Sequence, residues 1–113
     1  MKVLKDPGQV LQILSIKLNE LRKKFDEADG DDAAEISGQG AAIISIQMYI
    51  CYVLAYRGYF GAENLAYVYD YINDTKDKDH EYSNPRDTWF MNGRAKGAAW
   101  ALKEIEKRME EEP

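Results

Sequence analysis

The sequence predicts an all-α fold, a small four-helix bundle built on one central apolar helix, and three observations predict it. The stretch Ile36 to Tyr56 carries no charged residue. Elsewhere apolar residues recur at steps of three and four, the period of one helical face. Start and stop residues fall at the edges of those runs, and no alternating strand pattern or internal repeat is visible.

The central helix is expected over about 33–57. Helical spacing puts Ile43, Ile46, Ile50 and Val53 on one stripe. It puts Gly38, Ala42, Ser45, Tyr49, Tyr52, Tyr56 and Tyr59 on a second, about a third of a turn away at roughly 100° per residue. A helix apolar on several sides is expected to be buried on several sides. Gly38 and Gly40 each cost about 1 kcal/mol relative to Ala in a helix interior. That cost fits close packing, or a helix that starts only after Gly40. A membrane span needs about 20 apolar residues, and this run just reaches that length. Gln39, Gln47, two serines and tyrosines spread through the middle speak for a soluble core helix instead.

The flanking elements follow in order. Met1 to Lys5 reads as a short lead, extended where ordered. Asp6-Pro7 is a helix start, with Asp as N-cap and Pro at the first helical position. Leu11, Leu14, Leu18, Leu21 and Phe25 carry the first helix over about 7–28, opposite Lys17, Glu20, Arg22, Lys23 and Lys24. Asp29-Gly30-Asp31-Asp32 breaks it; Gly30 suits a left-handed position, and Asp31 or Asp32 can cap the next helix. An EF-hand register with Gly30 at position 6 puts Phe25 at 1 and Ile36 at 12, so this acidic turn is no calcium loop. Arg57-Gly58 ends the central helix and Tyr59-Phe60-Gly61 makes an aromatic turn. A third helix is expected over about 62–73 on Leu65, Val68 and Ile72, followed by a charged loop, 74–84. Asn84-Pro85 starts a fourth, over about 85–109. The tail 110–113 is expected to fray.

The chain has 113 residues, one domain's worth, with a net charge of −5 and 31% charged residues. That charge speaks against nucleic-acid binding by the whole surface. The lone Cys51 lies in the apolar stretch and is expected to be a buried small hydrophobe. It has no partner for an internal disulfide, so a reduced, cytoplasmic setting is expected. No signal peptide is expected, because Met1 to Asp6 has no apolar core before Pro7. The single histidine, His80, sits between two acids in the charged loop and is expected to titrate near neutrality. Alone, it cannot make the paired Glu-x-x-His sites of di-metal bundles. No phosphate loop, dinucleotide fingerprint or nucleophile elbow is present. The expectation is a protein without catalytic residues, cofactor or metal.

Two surfaces are candidate sites. Trp89, Gly93 and Trp100 lie opposite the fourth helix's core stripe, with Gly97 alongside. The two glycines form a notch between the tryptophans, and Tyr59 and Phe60 stand as neighbours. Aromatics flanking a notch with a charged rim resemble an interface hot spot, for a protein partner or a homodimer. The other reading has the central helix's small residues fill the notch while the tryptophans cover the Tyr59-Phe60 turn. The second surface comes from eight tyrosines in 113 residues. Tyr49, Tyr52, Tyr56, Tyr67 and Tyr71, with Gln47, could line a small-molecule pocket, or be packing whose hydroxyls reach the bundle edge. In general build, a small acidic helical chain with a charged tail, the protein is similar to many phage-borne accessory proteins and antitoxins. The functional expectation is a non-enzymatic binding protein that regulates or inhibits a partner.

Overall fold

A computed structural model describes residues 1–75 and 85–112. The chain is an all-α bundle of four packed helices closed by a two-stranded antiparallel sheet. The elements are β1 (Lys2–Leu4), α1 (Pro7–Glu27), α2 (Gly30–Arg57), a 3-10 turn (Ala62–Asn64), α3 (Leu65–Thr75), α4 (Pro85–Glu106) and β2 (Met109–Glu111). Most of the expected loop 74–84, His80 included, lies outside the described residues.

Local chemistry explains the helix ends. The Asp6 carboxylate accepts a hydrogen bond from the Gln9 N–H at 3.0 Å, satisfying an orphan donor of the first turn of α1. Gly30 takes the left-handed conformation at φ 59° and Gly58 at φ 80°, where a side chain would be strained. The central helix begins at Gly30, three residues before the expected start. Neither Asp31 nor Asp32 caps it: Asp29 holds the cap position, without a side-chain bond. Asp31 and Asp32 lie in the first turn instead, where the helix dipole favours negative charge.

α2 is the packing centre. It lies most extensively against α4 and next against α1, and α3 packs on α4. Gln47 meets Leu11 while Gly40 meets Leu18, so α1 and α2 are antiparallel. Glu35 meets Gly93 while Gln39 meets Gly97, so α2 and α4 run the same way. Ile43, Ile46 and Ile50 are fully buried with Leu14, Val10, Val68 and Ile105, which makes one core between α1, α2, α3 and α4.

The extended lead expected at the N-terminus forms β1, while the other chain end departs from expectation. α4 stops at Glu106, and 109–111 is not a fraying tail but a strand paired with β1, Leu4 opposite Met109 and Lys2 opposite Glu111. The other edge of β1 is held by Phe60, whose carbonyl accepts from the Leu4 N–H at 2.8 Å, and by a bridge from Val3 to Gly61. A three-residue strand shows too few residues for alternation to be read.

Candidate functional site

The tryptophan–glycine set does not form one surface. A methyl group on Gly93 would overlap the Glu35 carbonyl oxygen, and one on Gly97 would come within 2.6 Å of the Gln39 carbonyl. The notch is therefore filled inside the chain by the α2 backbone. Phe60 is fully buried. Tyr59 is half-buried; its hydroxyl accepts from Arg57 at 2.6 Å. The tryptophans do not cover this turn as a pair. Trp100 is half-buried beside α1, with the Lys17 ammonium 5.4 Å from its ring centre. Trp89 remains exposed.

The tyrosine set divides as well. Tyr49 stacks on Tyr67 with ring centres 3.9 Å apart, and Tyr67 tilts against Tyr71 at 6.4 Å. The Tyr71 hydroxyl accepts from Arg94 at 3.0 Å, and the Tyr49 hydroxyl accepts from the Asn64 amide at 3.2 Å. These three are a packed ladder, with the Tyr49 and Tyr71 hydroxyls bonded. Tyr52 and Tyr56 stack on each other at 5.4 Å, both exposed to solvent. Gln47 faces α1, donating to the Leu11 carbonyl at 3.2 Å and to the Ser15 hydroxyl at 2.9 Å. The six side chains do not converge on a common cavity.

The surface that stands out is the outer side of α2. One side of this helix meets α1 and another meets α4, while a third faces water. Ser37, Ile44, Met48, Cys51, Tyr52 and Ala55 are exposed along it, with Gly40 half-exposed. Met48 is 68% and Tyr52 60% exposed. Cys51 is thus on the surface rather than buried, and the central helix is not covered on every side. The face continues into a groove of about 350 Å³ between α1 and α2, lined by Leu18, Phe25, Ile36, Gly40 and Ile44 among others. A side chain at Gly40 would meet nothing nearer than Leu18 at 3.9 Å, so the floor of the groove is open. The steps 37-40-44-48-51-55 were readable in the sequence. No charged residue separates this side from the two that pack, so sequence alone did not single it out.

Charge sits at the ends of α2, with Asp29, Asp31 and Asp32 at one and Arg57 at the other. Arg57 pairs with Glu63 at 2.9 Å. Among the described residues two titrations are perturbed, both away from the face. Partial burial alone would raise the Glu104 carboxyl. Hydrogen bonds from Lys107 at 3.2 Å and Arg108 at 2.8 Å outweigh it and hold the group below its ordinary range. The Tyr69 phenol donates to the Glu106 carboxylate at 2.7 Å; that bond, and the carboxylate's charge, raise its pKa. Among the described residues, no three His, Cys, Asp or Glu side chains gather where a metal could bind. Among the same residues, α2 is the one helix long and apolar enough to cross a bilayer, and a third of its most apolar window is buried in the bundle. No family model, curated protein or solved structure matches the chain.

Proposed function

We propose that the protein is a non-enzymatic binding module that works by docking the outer face of α2 against another protein surface. It would regulate or inhibit whatever surface it covers. One observation carries this reading: from Ile36 to Tyr56 there is no charge, yet one side of that stretch lies in water. A solvent-facing helix side ordinarily carries charged residues, and contiguous exposed apolar surface on a monomer marks an interaction site. Met48 and Tyr52 are the anchors such a face would use, a deformable thioether and an amphipathic ring.

The test is a photo-crosslinking residue at position 48, with a control at position 23 on the charged side of α1, in cells that make the protein. Position 48 is expected to give a discrete protein adduct that Tyr52→Lys removes, and position 23 is expected to give none. Identical products from both positions, or no adduct from 48, would overturn the reading.

A further inference from the structure

The same face is shaped to receive a copy of itself. We propose that α2 pairs antiparallel with α2 of a second copy about a two-fold axis at Ile44, with Met48 of each entering the groove over Gly40 of the other. This deepens the docking reading above and rests on it.

Four features fit together. First, knob and hole lie on one helix. Met48 stands out from the bundle, and eight residues away, about 12 Å along the axis, Gly40 leaves the floor of the groove open. In a two-fold pair one surface supplies both parts, so both contacts form at once. Second, α2 runs from 30 to 57, so an axis at Ile44 overlaps two copies along almost their whole length. Third, that register lays positions 37, 40, 44, 48 and 51 of one copy over 51, 48, 44, 40 and 37 of the other, so the contact along α2 holds no charged side chain. A parallel pair would instead set Met48 against Met48 and leave both grooves empty. Fourth, the area is sufficient. The uncharged strip of α2 with the α1 edge at Phe25 is about 30 Å long and two helix diameters wide, on the order of 600 Å² per copy. A pair then removes about 1,200 Å² from water, the lower end of specific interfaces.

The experiment is sedimentation velocity on the whole chain from about 5 to 500 μM, for the natural sequence, Met48→Lys and Gly40→Leu. A dimer is expected for the natural chain. Each variant is expected to weaken it by about thirtyfold or more, the effect of losing a central anchor. At concentrations where the natural chain is monomeric the Met48→Lys melt should match it, because the side chain is exposed in the monomer. Orientation is read by oxidation. Ser37→Cys is expected to crosslink to Cys51 of the other copy, whereas the natural chain is not, since its two Cys51 thiols lie about 20 Å apart along the helices. Ready crosslinking of the natural chain would mean a parallel pair and overturn the proposal. So would a dimer indifferent to both variants, or a monomer at every concentration. A monomer that co-sediments with phosphatidylcholine vesicles would overturn it in favour of a lipid surface. Failure here leaves the docking reading intact if position 48 still crosslinks to a different protein, and that reading falls if position 48 captures nothing or gives the same products as position 23.

Discussion

Glu104 is held by two cations of the helix end that follows it, Lys107 and Arg108, and Arg108 also donates to the Glu104 carbonyl at 2.9 Å. The carboxyl titrates lower in the folded chain than the ordinary value of 4.5. Its contribution to stability is therefore complete above about pH 4.5 and is lost as pH falls through the folded value. In paired urea melts Glu104→Gln is expected to be less stable than the natural chain at pH 7, with the gap closing below pH 4. A constant gap from pH 7 to pH 3 would show that the carboxylate's charge contributes nothing. The Glu104–Arg108 spacing was readable in the sequence, because i,i+4 pairs follow from helical geometry alone. Asn64 was not. It is buried, its carbonyl accepts from the Gly61 N–H at 3.0 Å, and its amide reaches Tyr49 fifteen residues back. An Asn three residues after a Gly resembles any turn, and only the fold supplies the tyrosine that completes its bonding.

Among the elements, the α2–α4 contact separates two kinds of glycine that look alike in sequence. Gly38, Gly93 and Gly97 each touch the opposite helix's backbone, so a methyl group there must push α2 and α4 apart. Gly40 faces the open groove. Gly93→Ala is expected to lower unfolding free energy by about 1–3 kcal/mol, the range for overpacking a filled contact. Gly40→Ala is expected to raise it by about 0.5–1 kcal/mol, the helix-propensity gain with no steric loss. Denaturant melts of both variants decide it, and equal effects would mean the helices do not meet at Gly93. The existence and order of the helices were legible because each carries an apolar period several turns long. The conformational cost of Gly38 and Gly40 pointed to close packing at both or to a later helix start; the helix starts at Gly30, and only Gly38 is closely packed. The partner of the Gly93–Gly97 notch was not. Periodicity marks which side of a helix is apolar and leaves open whether that side meets its own chain or another.

At the scale of the whole molecule, the two ends of the chain are tied together. β1 lies between β2 and the Phe60–Gly61 segment, and the outermost bonds join Glu112 N–H to the Met1 carbonyl at 3.0 Å and the terminal ammonium to Glu111 at 3.3 Å. This layer covers the end of the bundle where Leu4 and Phe60 are buried. The exposed ion pairs at its rim, Lys5–Glu110 among them, add little. The ladder bonds and the covering of Leu4 by Met109 are what the layer contributes. Ending the chain after Arg108 removes β2 and leaves one edge of β1 bare, with Leu4 partly in water. Unfolding free energy is expected to fall by about 1–3 kcal/mol, from one half-buried Met side chain and a few ladder bonds. Amide exchange should quicken at Val3, which pairs with Glu110, far more than at Ile46 or Ile50, because the helical core does not depend on the strand. Uniform acceleration across α2 would show instead that the terminal strands and the bundle unfold as one cooperative unit.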